Sequence, residues 1–304
     1  MSTATPRSTR EEKALAPRRR SFGAWFADTG WRHLVAIVVS VFALFPLLYV
    51  VSASLNPKGT LTGSNQLFSA VGIDSYVRIL SDPQNPYGQW FLNTLLIAVV
   101  TGAVTVFIGA CAAYAFSRMR FAGRRVGLVT IVVVQMFPQL LAVVAIFLLM
   151  STLGDWFPAI GLNTHTGLIL VYLGGALGVN TYLMYGFFNT IPKEIDEAAR
   201  IDGAGHARIF FTIILRLVAP ILAVVGLLSF IGTVNEYVIA SVMLVDVEQQ
   251  TLVVGLTKLV ANPRYADWSA FSAGAVMAAI PVMILFLFLQ KYIVGGLTAG
   301  ATKG

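Results

Sequence analysis

Side chains able to do chemistry are few in this sequence and fall into three groups. The first lies between Lys193 and Arg208, where seven charges cluster: Lys193, Glu194, Asp196, Glu197, Arg200, Asp202 and Arg208. The second is a set of polar residues inside apolar runs, Gln135 and Gln139 four apart and Asn235 beside Glu236. The third is a late polar loop with Asp246, Glu248, Asn262 and Pro263. None of these makes a catalytic set. The chain has no G-x-x-x-x-G-K-[ST] phosphate cradle, no G-x-S-x-G nucleophile elbow and no H-E-x-x-H zinc helix. His33, His165 and His206 fall far apart, and Cys111 is the only cysteine, which excludes a cysteine cluster and an intramolecular disulfide. Docking, ion pairing and hydrogen bonding remain as the available chemistry. If the chain works with a nucleotide, another chain must hold it.

The elements that carry these residues are set by composition. Hydrophobic residues make up 57% of the 304, charged residues only 12%, and mean hydropathy is +0.78. A soluble globular chain is nearer a quarter charged. Apolar runs close to the roughly 20 residues that cross a bilayer predict six membrane helices, over about 34–55, 91–116, 126–150, 167–187, 215–244 and 271–294. The predicted class is therefore an all-α membrane protein: a basic arm (1–33), a six-helix domain (34–295) with a polar loop at 188–214, and a short tail (296–304).

The charged stretch cannot sit in lipid. At roughly 2.5 to 3.5 kcal/mol per charged residue at mid-bilayer, its burial there would cost on the order of 20 kcal/mol. Charge bias also says on which side it lies. Seventeen of the 21 lysines and arginines fall in the arm through Arg32, the 117–125 loop, the polar loop as far as Arg216 and the C-terminal end from Lys291, all on one side. The positive-inside rule then puts both termini and the polar loop in the cytosol. The arm, with Arg7, Arg10, Lys13 and Arg18 to Arg20, suits a cytoplasmic anchor beside anionic lipid better than a nucleic-acid site. Its following apolar run is too long for a signal peptide. Trp31, Trp90, Trp156 and Trp268 near helix ends fit an aromatic belt.

Within the polar loop the grammar is helix, break, helix. Pro192 suits a first helical turn, acidic Glu194, Asp196 and Glu197 favour the dipole at that end, and Gly203 and Gly205 supply a glycine stop. A short amphipathic helix outside the membrane reads as a docking piece. Inside the membrane, Gln135 and Gln139 share a face of the third helix beside Pro138, a kink site. They serve either interhelical hydrogen bonds or a polar path. Glu236 is the one acid within a predicted span, either functional or an interface carboxylate. Gly174 and Gly178 form a small-xxx-small pair, and His165 belongs to a cap.

The stretch EAARIDGAGHARIFFTIILRLVAP, from Glu197 to Pro220, resembles the E-A-A loop of ABC importer permeases. CAAYAFSRMRF (Cys111 to Phe121), QMFP (Gln135 to Pro138), GLNTHTG (Gly161 to Gly167), YLGG (Tyr172 to Gly175) and the ending GLTAGATKG extend the likeness along nearly the whole chain, towards the shorter maltose and maltodextrin permease subunits. The resemblance implies a type I importer fold with a cytoplasmic coupling helix in a bacterial inner membrane. It implies a second homologous permease, two ATPase subunits that hold ATP and Mg, and an extracytoplasmic sugar-binding protein. This chain would bind no cofactor and break no bond. Glu197, Ala198 and Ala199 would form the docking side and Asp202 and Gly203 the turn, with Ala204 in the same ATPase-coupling set, and Asn262, Pro263 and Tyr265 would meet the binding protein. Gln135, Gln139, Asn235 and Glu236 are candidates for the sugar path, and the tail would reach towards the ATPases. The long basic arm departs from the family's compact start. Trehalose or another oligosaccharide is an alternative cargo. A secondary transporter would call for more membrane carboxylates than Glu236.

Overall fold

The computed structural model describes residues 22–57 and 67–301. The basic arm as far as Ser21, Lys58 and the end of the tail from Thr302 lie outside the described residues, as do the side chains of Gln139 and of residues 293–301. All regular structure among the described residues is helical. The chain divides into two units, Met1–Val50 and Val51–Gly304, each described by itself.

The first unit is one long apolar helix with a lead-in. A π-turn over Phe26–Gly30 feeds helix α1 (Trp31–Ser54), whose last residues enter the second unit. A Cβ at Gly30 would run into the rings of Trp25 and Phe26, which would have to shift to admit it.

The second unit holds a short helix α2 (Asp74–Ser81), the long α3 (Tyr87–Arg118), and a broken pair, α4 (Arg124–Gln135) and α5 (Gln139–Trp156). Next come α6 (His165–Phe188), the polar-loop helix α7 (Glu194–Ile201), α8 (residues 206–217, with a π-turn over Phe210–Ile214) and α9 (Ala219–Asn235). The chain ends with α10 (Val238–Met243), α11 (Leu252–Ala261) and α12 (Trp268–Ala301). Helix α3 is the hub, packing along α6 and α9, while α9 also lies against α12 and α4 against α6.

Among the described residues three stretches are long and apolar enough to cross a membrane singly, Phe26–Ser54, Tyr87–Arg118 and Trp268–Tyr292, and the number reaches six if each bent pair is one span. The bends are 100° between α4 and α5, 50° within α6 at residues 175–178, and 78° between α8 and α9. The fifth predicted span, 215–244, is therefore interrupted twice, at Val218 and again at Glu236 and Tyr237. The tail boundary at 296 does not appear in the backbone, since α12 continues to Ala301.

One end of the second unit is stapled through α3. Trp90 donates from Nε1 to the Val247 carbonyl at 2.7 Å, Asn93 donates to the Glu248 and Gln250 carbonyls, and Thr94 Oγ1 accepts from the Leu252 amide. His165 bonds the Gln249 carbonyl, and Asn163 pairs with Asp246. The loop at 244–251 is thus fixed from two sides. Trp90 is fully buried and packs on Gly255, where a Cβ would strike its ring. It anchors the interior and does not belong to an aromatic belt; Trp156, at 77% exposure, can. The helix cap at 164–167 is Thr164, whose Oγ1 accepts from the Gly167 amide.

Candidate functional site

The opposite end of the unit carries α7. Its first turn holds Glu194, Asp196 and Glu197, which complement the positive end of the helix dipole. Pro192 lies outside it, two residues ahead of Glu194, so the proline shapes the approach and not the first turn. The helix stops in a Schellman turn. The Ala204 amide donates to the Ala199 carbonyl and the Gly203 amide to the Arg200 carbonyl, both at 2.9 Å. Gly203 sits at φ +81°, a left-handed position, whereas Gly205 at φ −74° does not use glycine's freedom.

The faces of α7 divide sharply. Ala199 is buried and belongs to a core cluster with Ala113, Tyr114, Phe188, Ile209 and Phe210. Ala204 packs against the same cluster. Ala199 therefore seats the helix on its own protein and leaves Glu197 and Ala198 as the outward-facing part of the E-A-A sequence. Asp202 and Gly203 are exposed. So is Ile201, at 86%, a large apolar side chain offered to solvent at the helix end. It was not among the residues expected to dock, although an isoleucine beside D-G-A in a charged loop is a visible signal.

Asp196 turns the other way. Its carboxylate Oδ2 lies 2.8 Å from Nε of Arg118, the last residue of α3, and both side chains are under 5% exposed. Arg118 also donates from Nη2 to the Ile191 carbonyl at 3.0 Å. A polar cleft of about 530 Å³ opens beside this pair, lined by Arg118, Arg120, Lys193, Asp196, Glu197, Arg200 and His206.

The membrane candidates do not gather into one site. The break at Met136 to Pro138 places Gln135 at the end of α4 and Gln139 at the start of α5, so the two do not share a helix face. Gln135 donates to the Gly175 carbonyl at the bend of α6 and fills the space that a Cβ on Gly178 would need; Gly174 has open space instead. Of the two open readings, this contact is an interhelical hydrogen bond. Asn235 bonds the Ile231 carbonyl of its own helix and lines an apolar groove of about 610 Å³ against α11 and α12. Glu236 faces elsewhere. Its carboxylate accepts the amides of Ile239 and Ala240 at 2.9 and 3.0 Å and the hydroxyl of Tyr172 at 2.6 Å. It caps α10 and lines a cavity of about 270 Å³ with Thr101, Tyr172, Asn180, Ser229 and Thr233. Gly175 lines that cavity too, so Gln135 reaches its rim.

At the stapled end, Asn262 Oδ1 accepts the Arg264 amide and the Asn262 carbonyl accepts the Tyr265 amide, which makes a tight turn with Pro263 and Tyr265 exposed. The turn borders a polar hollow with Arg78, Asp82, Asn85, Lys258 and Asp267, closed by an Arg78–Asp267 ion pair of 3.2 Å.

Residues 105–298 match the family model described as the binding-protein-dependent transport system inner membrane component. The chain belongs to this family. It is an inner-membrane permease component, and the matched span takes in α7 and all the bends described above. The galactooligosaccharides transport system permease protein of Bacillus subtilis is 40% identical over 273 residues, covering 90% of this chain and 94% of that protein. The maltodextrin transport system permease protein of the same organism is 38% identical over 272 residues, covering 90% and 95%. Among solved structures, a chain of a bacterial ABC transporter involved in the import of the acidic polysaccharide alginate superposes with a TM-score of 0.71 at 28% identity, over 95% of this chain and 99% of that one. Permeases of the family form the transmembrane part of ABC transporters, whose ATPase activity is in separate subunits.

Proposed function

We propose that this chain is the non-catalytic permease subunit of an ATP-driven importer for neutral oligosaccharides of the maltodextrin class. It spans the membrane six times with both termini and α7 in the cytosol, pairs with a second homologous permease, and stands on two ATPase subunits that hold ATP and Mg. An extracytoplasmic binding protein delivers the sugar. The observation that carries this reading is the form of α7: a short helix outside every apolar span, seated through Ala199, ended by a left-handed glycine, and showing Glu197, Ala198 and Ile201 outward. A partner cleft can take that face as a groove takes an amphipathic helix. The turn at Asn262, Pro263 and Tyr265 is the contact proposed for the binding protein.

Support for the cargo comes from the relatives and from the cavity near Glu236. Hydroxyls, an amide and a carboxylate line it, with no cation, which suits a neutral polyhydroxylated ligand. The 40% identical relative favours a second reading, galacto-oligosaccharides, which the same chemistry would accept. Glu236, Asn235 and the two glutamines remain the proposed path residues, Gln135 at the rim of the cavity.

The test is reconstitution. The chain co-expressed with its partner permease and ATPase should be recovered as one complex, and in proteoliposomes with the binding protein inside-directed uptake of labelled maltotriose should require ATP. Uptake driven by an ion gradient without ATPase would overturn the reading, and uptake of galactobiose but not maltotriose would move it to the second cargo.

A further inference from the structure

The bends of this protein pose a mechanical problem. A helix that docks on an ATPase can do work across the membrane only through elements stiff enough to carry its displacement. The chain neighbours of α7 are poor at this. Helix α6, which leads into it, is bent by 50°, and α8, which leads out, meets α9 at 78°. Helix α3 has no such break. Its 32 residues run as one helix, about 48 Å at 1.5 Å per residue.

Arg118, the last residue of α3, is joined to the polar loop at two points, Asp196 in α7 and the Ile191 carbonyl ahead of it. Around the pair the packing is continuous: Ala113 and Tyr114 of α3 share a core cluster with Ala199, Ile209 and Phe210, and the Tyr114 and Phe210 rings lie 5.0 Å apart. At its other end α3 holds the 244–251 loop and α11 through Trp90, Asn93 and Thr94. One unbroken rod thus links α7 to the stapled end.

Stability is a weak reason for such a pair. Buried ions lose their hydration, and hydrophobic replacements often do as well or better unless every polar atom is satisfied. Here Arg118 Nε and Nη1 and both Asp196 carboxylate oxygens have no hydrogen-bond partner among the described residues, so the 2.8 Å approach of Nε and Oδ2 is an ion pair without hydrogen-bond geometry. What a buried pair does supply is register, a fixed relation between two elements.

We infer that Arg118 and Asp196 are positioning residues that lock the coupling helix to α3, so that its movement crosses the membrane along α3 and reaches the 244–251 loop. This rests on the function proposed above. Nucleotide state at the ATPases then shifts the far end of α3 because both share one rigid body, and coupling of this kind is commonly 5- to 150-fold.

The test uses the assembled complex with Cys111→Ala and a reporter, Glu248→Cys, on the loop that Asn93 holds. The modification rate by a water-borne thiol reagent is compared without nucleotide and with a non-hydrolysable ATP analogue and Mg. We expect the two rates to differ at least about 5-fold. With Asp196→Asn or Arg118→Gln the ratio should fall to near one while analogue binding persists, and Asp196→Glu should restore most of it. Arg118→Lys keeps the charge and shortens the reach to Ile191, so it should give an intermediate ratio and remain inserted. A full nucleotide response in Asp196→Asn, or an unchanged one in Arg118→Lys, overturns the inference. Failure of the unsubstituted chain to recruit any ATPase would instead overturn the proposed function, and it would be seen before the reporter is read.

Discussion

Tyr172 donates its hydroxyl to Glu236 Oε2 at 2.6 Å, and the same oxygen accepts the Ala240 amide, so one carboxylate ties α6 to the start of α10. Loss of either partner should be felt unequally. Tyr172→Phe removes one hydrogen bond, worth about 1 kcal/mol, whereas Glu236→Ala leaves two backbone amides and a buried hydroxyl unserved, about 1–3 kcal/mol each. Thermal unfolding in detergent should show the larger drop for Glu236→Ala, and equal drops would refute the capping role.

Gly203→Val places a β-branched side chain at φ +81°. A left-handed residue with a Cβ costs about 1–2 kcal/mol, and the end of α7 should loosen while membrane insertion is kept. Recovery of the ATPase with the tagged permease is the measurement, and it should fall several-fold.

Ile201→Ser should leave the fold intact, because the side chain is 86% exposed. If a partner buries it, about 1.5–3 kcal/mol of binding is lost, roughly 10- to 150-fold in affinity. An unchanged dissociation constant for the ATPase in detergent would remove Ile201 from the docking face.

Gly255→Ala pushes a methyl into the ring of Trp90. Overpacking of this kind costs about 1–3 kcal/mol, and it should also free the 244–251 loop. Proteolysis within that loop, compared with the unsubstituted protein, reads the second effect apart from the first.

Asp82 tests the acid limb. The Asn85 amide, with the Gln84 and Asn85 backbone amides, holds its carboxyl below the ordinary carboxylate range. The folded state therefore favours the ionised form, and that contribution is present above the ordinary range and lost as pH falls through the lowered value. Asp82→Asn should lower the unfolding temperature near neutrality and flatten its fall over that acid window, so that the two proteins converge below it.

Much of this architecture was legible from composition. Apolar run length located every long segment, and the charged stretch between Lys193 and Arg208 announced a helix that cannot enter lipid. The glycine stop was readable at Gly203 but over-read at Gly205, because two glycines compete for one left-handed position and hydrogen bonding to Ala199 and Arg200 selects the first. The interruptions were harder. Pro138 marks a kink, yet only packing decides between a kink and a 100° break. At Glu236 no proline or glycine warns of the break, since the carboxylate caps the next helix from its own side chain. Contacts such as Arg118 with Asp196, or Trp90 with Gly255, join residues far apart in the chain and leave no local pattern.

The gap between α4 and α5 carries a further implication, for what must surround the chain there. Over Met136 to Pro138 the helical ladder stops, and Met136 and Phe137 stand 77% and 61% exposed. Irregular backbone at membrane depth is tolerated only where protein covers it or water reaches it. If the break lies at that depth, it is a place where this chain must be met by protein or by water.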